Sequence, residues 1–182
     1  MSEPSAAPSK PFLYVVVCAA GIADGVGLLI DAAQEQGWEA AVVATPQALG
    51  FFDAEAVVAQ TGHPIRSAWR APGDDRPLPP ADAIAVAPAT FNSINKWAAG
   101  IADTLALAIL CEAYGMGIPT AVLPRVNAAL SAHPAYSRSL DRLREMGVLI
   151  GSGAPGDGAS DGFRWEEALE LLAPVLGERT AV

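Results

Sequence analysis

A chain of 182 residues, 52% apolar and 17% charged, has the length and composition of one folded domain with a substantial core. Eleven basic against twenty acidic residues leave a formal charge of −9, which repels a nucleic-acid backbone and supplies no polybasic patch for a membrane surface. Two cysteines and two histidines give no zinc-ligand spacing, and no apolar run approaches the roughly 20 residues of a bilayer span, so a metal site and membrane insertion are set aside.

Residues 1–10 are polar and Pro/Ser-rich, without the basic-then-apolar order of a signal peptide. They read as a disordered tail ahead of a single domain over 11–178, in a cytoplasmic protein. Residues 12–18 (FLYVVVC) are β-branched and aromatic, the composition of a strand buried on both faces. A helix is predicted over 22–36, stopped by Gly37, and a second strand over 39–44. Thr45-Pro46 opens a short helical turn through residue 52, and 55–60 fits a further helix. Residues 66–80, dense in Pro, Gly and charge, read as a surface loop.

The pattern then repeats. A short apolar strand over 83–87 runs into a loop of small, hydroxyl and amide residues, followed by a helix over 103–114. A strand over 120–123, a helix over 137–146, a strand over 148–150, a Gly/Ser/Asp-rich flap over 151–162 and a helix over 165–176 complete the chain. Cys18 ends a buried strand and Cys111 lies in an apolar helix, so both read as free thiols. Strands alternating with helices predict an α/β fold with a mostly parallel sheet and right-handed crossovers. The turn after the first strand, Ala19-Ala20-Gly21-Ile22, lacks G-x-G-x-x-G, so a standard dinucleotide site is not supported.

In such a sheet, ligands bind at the carboxyl ends of the strands. Three strand-to-helix turns lie there, over 19–22, 45–47 and 88–93. The third is the most informative. Pro88 fixes the chain's exit from its strand, and Thr90, Asn92 and Ser93 bring short uncharged hydrogen-bonding groups. The same residues also suit a simple N-cap cluster.

The stretch Pro88-Ala89-Thr90-Phe91-Asn92-Ser93, with Gly100-Ile101-Ala102-Asp103-Thr104-Leu105 after it, resembles the PASANT…NGIxDNL signature of the homo-oligomeric flavin-containing cysteine decarboxylases. The resemblance implies a Rossmann-like three-layer fold of the flavodoxin type and an FMN cofactor. It also implies closed assembly as a trimer or dodecamer, with flavin in the crevice between neighbours. The FMN-contacting positions it implies are Ala20, Gly21, Thr45, Pro88, Ala89, Thr90, Phe91, Asn92 and Ser93. The first turn departs from the family's T-G-S-I-A, placing Ala20 where a serine helps hold the phosphate. Phe91 stands where a small residue is usual, so it either stacks on the ring edge, partly fills the slot or belongs to the core.

The implied reaction is oxidative decarboxylation of a peptide or small molecule carrying a cysteine and its carboxylate. It needs donors for the carboxylate and an acceptor for the thiol proton. A second family motif, PxMNxxMW, is matched in part over 124–131, which puts Asn127 on the carboxylate-gripping asparagine. The family's histidine ahead of the third strand is missing: that region is Gly73-Asp74-Asp75-Arg76-Pro77-Leu78. Asp74 or Asp75 could replace it only in a dry pocket. His63 falls too early, and His133 reads as a surface or packing residue. Lys96 and Trp97 follow the signature, with Trp97 suited equally to an interface or the core. Two other readings stand beside the enzyme: a non-catalytic scaffold or assembly subunit and, third, a prenyltransferase-like enzyme suggested by Pro124-Arg125.

Overall fold

The computed structural model describes residues 10–74, 77–152, 154–155 and 162–179. Strands β1 (Phe12–Val17), β2 (Glu39–Ala44), β3 (Ala83–Ala89), β4 (Thr120–Val126) and β5 (Leu149–Ile150) form a sheet in the order β2-β1-β3-β4-β5, every neighbouring pair parallel. A two-residue strand, β6 (Ala154–Pro155), pairs with the end of β4.

All six residues of β1 are buried, which is why its sequence shows no polar alternation. Its side chains divide strictly by parity. Leu13, Val15 and Val17 enter a core shared with α1 (Val26–Glu35) and α7 (Glu167–Arg179). Phe12, Tyr14 and Val16 enter a second core with α3 (Phe91–Ala98), α4 (Leu105–Gly115) and α6 (Pro134–Glu145). Helices on both faces make the three layers the resemblance implied. Each fully buried aliphatic side chain contributes about 1.5–3 kcal/mol, so the sheet's two faces carry most of the stabilisation. Among the described residues no helix is long and apolar enough to cross a membrane.

Several element bounds differ from the sequence expectation, each for a local reason. The third strand runs to Ala89 rather than 87, and Thr90 alone separates it from α3, so the signature is a strand end, a cap and a helix, not a loop. The helix expected over 22–36 opens with a tight 3-10 turn, Ala23–Gly25, where Gly25 lies against Trp165: a Cβ there would sit 2.9 Å from the indole. The helix expected from 103 begins at Leu105 because Thr104 caps it, leaving Asp103 outside. β4 continues to Val126, and α6 starts at Pro134 behind a capping His133. Trp165 precedes α7 and packs edge-on against Phe163, with ring centres 4.8 Å apart. The tail over 1–9, Asp75 and most of the flap lie outside the described residues.

α2 (Ala54–Thr61) is capped by Asp53 and closed by Gly62 at φ 71°, a conformation glycine adopts without strain. The loop after it bridges back to β2 through Val43 and Arg66. His63 pairs with Glu39 at 2.7 Å and packs edge-on against Phe12.

Candidate functional site

The three turns chosen from the sequence converge at the carboxyl ends of β1, β2 and β3, around one cavity of about 800 Å³. The first turn lines it with Ala20 and Gly21, the second with Thr45, and the third with Thr90, Phe91, Asn92 and Ser93. Asn127, at the end of β4, closes another side. Pro88 and Ala89 do not line it. They are β3 residues beneath the floor, and the Pro88 carbonyl accepts the Cys18 amide at 3.1 Å, tying the first and third strand ends together.

The local geometry makes this a donor-rich surface. In the first turn the Ala20 amide donates to the Cys18 carbonyl and the Ala23 amide to that of Ala20. Among the described residues, the amides of Gly21 and Ile22 between them have no partner. A Cβ on Gly21 would meet nothing within 4 Å, so this edge is open. Opposite, Thr90 caps α3: its Oγ1 accepts the Ser93 amide at 3.4 Å, and its hydroxyl donates to Ser93 Oγ at 3.1 Å. The first amides of α3 point out of the helix end, where anions are favoured. Thr45 is buried, its amide held by the Val17 carbonyl.

Beneath the third turn, burial pushes the Cys18 thiol up, outweighing hydrogen bonds with Ser93 and the Thr90 backbone that favour the thiolate. Cys18 is therefore a neutral packing group at neutral pH, and it and Cys111 are both free thiols. Phe91 lines the cavity, half-buried, and stacks on Tyr136 with ring centres 6.2 Å apart. His133 meets it edge-on at 5.8 Å. Burial raises the Tyr136 phenol, so the ring beneath Phe91 stays uncharged.

Asn127 Oδ1 accepts the Leu130 amide at 2.8 Å, capping the short helix α5 (Ala128–Ser131). This bond fixes the amide plane and leaves its NH₂ as the group free to meet a ligand. Arg125, two residues earlier on β4, also lines the cavity.

Three charged residues that the sequence reading named but gave no place in the site also line the cavity: Lys96, Asp103 and Arg125. Lys96 Nζ and Asp103 Oδ2 form an ion pair at 2.5 Å across the mouth between α3 and the α4 cap. Lys96 lies four residues after Asn92 on α3, so helical periodicity alone would have put it on the same face. Trp97, on the other side of that helix, is 2% exposed and belongs to the core.

The proposed bases fare differently. Asp74 is exposed in the 66–80 loop, where its carboxylate accepts the Ala71 amide; it does not line the cavity. Asp75 is outside the described residues. His133 is exposed and caps α6, its Nδ1 accepting the Ala135 amide. Among the described residues the cavity contains no histidine, and Asp103 is its one carboxylate. No group of three metal-ligating side chains occurs among them.

An α/β/α sandwich with a donor-lined cavity at its strand ends, bounded by short hydroxyl and amide side chains, has the layout in which open parallel sheets bind their ligands. The comparisons make this specific. The flavoprotein family profile matches residues 2–163, so the chain belongs to the flavoprotein family. It is 35% identical over 99 residues to a cysteine/cysteine sulfinic acid decarboxylase of an unknown prokaryotic organism, covering 53% of this chain and 27% of that protein. It is 34% identical over 150 residues to the coenzyme A biosynthesis bifunctional protein CoaBC of Mycobacterium tuberculosis, covering 76% of this chain and 34% of that protein. The chain thus spans about a third or less of the length of these curated relatives. The crystal structure of the FMN-dependent cysteine decarboxylase SpaF superposes with a TM-score of 0.71 at 27% identity, over 91% of this chain and 99% of that one. The chain is a decarboxylase-like flavoprotein.

Proposed function

We propose that the cavity binds FMN and that the protein acts on a small molecule or peptide bearing a cysteine and its carboxylate. The observation that supports this most is the meeting of all three turns and Asn127 on one cavity. At about 800 Å³ it falls within the roughly 300–1,000 Å³ usual for ligand pockets. The donor set fits the group. The unpartnered Gly21 and Ile22 amides suit a phosphate even without the family's serine. Thr45, Thr90, Asn92 and Ser93 suit a polyhydroxyl chain and ring edge, and Phe91 supplies apolar area.

A bound flavin supplies a two-electron acceptor for a carbon next to sulfur. The chain's own residues do the rest. The Asn127 NH₂ and the Arg125 guanidinium orient and neutralise the substrate carboxylate. Lys96 is paired with Asp103 at the cavity mouth. Leu107, Val126 and Leu130 supply apolar wall to the cavity. The reading carries with it a homo-oligomer, trimer or dodecamer, working in the cytoplasm.

The absence of a histidine from the described cavity favours a second reading, a non-catalytic assembly subunit. Asp103 is committed to Lys96 and is a weak base for a thiol. Incubation with a synthetic peptide ending in cysteine, followed by mass spectrometry, separates the two. Loss of carbon dioxide together with two hydrogens establishes the enzyme; an unchanged peptide with FMN bound establishes the subunit.

A further inference from the structure

A second cavity of about 440 Å³ lies away from the first, between residues 66–70 and 78–81 on one side and the outer face of α4 on the other. Among the described residues the two cavities share no lining residue. α4 separates them: Leu105, Ile109, Glu112 and Met116 form the stripe facing the second, whereas Leu107 faces the first. The inner wall is apolar, with Ile84 fully buried and Leu78 nearly so. Tyr14 closes the floor, its hydroxyl donating to the Pro79 carbonyl at 2.6 Å.

Two features of this cavity are unlike the rest of the molecule. Trp38, Trp97 and Trp165 are 2–4% exposed, but Trp69 is 60% exposed at the mouth of the cavity. Arg66 is half-buried in the wall, and among the described residues its guanidinium has no hydrogen bond or ion pair. The chain has 20 acidic and 11 basic residues, so carboxylates are in surplus, yet none of the described ones is placed on Arg66. A partly desolvated guanidinium without a counter-charge is costly, and an anion entering the cavity relieves that cost. Arg70, whose guanidinium donates to the Asp74 carbonyl, adds a second cation, against one exposed carboxylate on the far wall, Glu112.

We infer that this cavity binds a small aromatic carboxylate, its ring against Trp69 and the α4 stripe and its carboxylate on Arg66. The combination selects both properties. Apolar walls reward a ring, the planar guanidinium fork matches a carboxylate, and the volume lies in the range of small-molecule pockets.

The test titrates the full-length protein with 2-naphthoate and with its uncharged analogue 2-naphthylmethanol, by calorimetry and by quenching of the Trp69 emission. The acid should bind at least about tenfold tighter than the alcohol, a difference of about 1.4 kcal/mol. Arg66→Met should abolish that preference while leaving thermal stability and FMN loading unchanged. Ile109→Trp, which fills the cavity without touching Arg66, should weaken both probes. Equal binding of acid and alcohol, or an Arg66→Met protein that keeps the preference, overturns the proposal. So does a change of sedimentation on Arg66→Met or Trp69→Ser, which would assign the cavity to a contact between copies of the chain.

Discussion

Thr90 sits where fold and site depend on one hydroxyl, and replacing it with valine removes that hydroxyl at nearly constant volume. The cap bond to the Ser93 amide is long, 3.4 Å, which places its contribution toward the lower part of the range for N-caps, about 0.5–1 kcal/mol. The Thr90–Ser93 hydroxyl bond, 3.1 Å and half-buried, adds about 1 kcal/mol. Ser93 is 6% exposed, but the Cys18 thiol remains beside it, so no large penalty for an orphaned hydroxyl is added. The cost is then about 1.5–2 kcal/mol. For a chain of this size each kcal/mol moves Tm by about 2–4 °C, so circular dichroism melting should show a loss of about 3–8 °C. Thr90→Ser, which keeps the oxygen, should melt within about 2 °C of the parent. If Thr90 also contacts the cofactor, FMN affinity measured by fluorescence should fall about tenfold for valine and stay near parental for serine. A valine protein that melts within about 1 °C of the parent would refute the capping argument, and an unchanged FMN affinity would remove Thr90 from the binding set.

Other perturbations have equally definite outcomes. Asn127→Ala should lose about 1 kcal/mol through the α5 cap in urea unfolding, and turnover of a cysteine-terminated peptide should fall by more than about tenfold while FMN stays bound. Gly151→Ala should destabilise by about 1–3 kcal/mol in the same assay, because a Cβ there would lie 2.3 Å from Leu123 Cδ2 in the core. Burial alone would lift the Glu167 carboxyl, but hydrogen bonds from the Ser152 side chain and backbone, with the Arg164 charge, hold it below its ordinary value of 4.5. A lowered folded pKa means that this link stabilises fully above 4.5 and is lost as pH falls through the lower folded value. Urea midpoints measured from about pH 3 to 6 should therefore show a shallower acid-side slope for Glu167→Gln than for the parent.

The sheet was legible because burial on both faces writes itself as continuous apolar runs: residues 39–44 were bounded correctly from composition alone. The turns were legible because short hydroxyl and amide residues cluster where a backbone must turn and bind at once. What escaped was contact between distant segments. Nothing local says that Asp103 falls outside α4 and reaches Lys96, since that follows from Thr104 taking the cap. Nor does local sequence show Pro88 continuing a strand, because proline within a strand is disfavoured and tolerated here only beside a register shift against β4. The sequence over 66–80 has no periodicity, so the place of Arg66, Trp69 and Leu78 on a second cavity could be seen only once α4 was in place beneath them.

The central claim is that three strand-end turns make an FMN site despite alanine at position 20. The direct measurement is an absorbance spectrum of the purified protein, with the supernatant after heat denaturation run against an FMN standard. The purified protein should show the flavin bands and release stoichiometric FMN. A protein that is colourless and remains so after incubation with FMN would contradict the claim, showing that the three turns do not hold the cofactor.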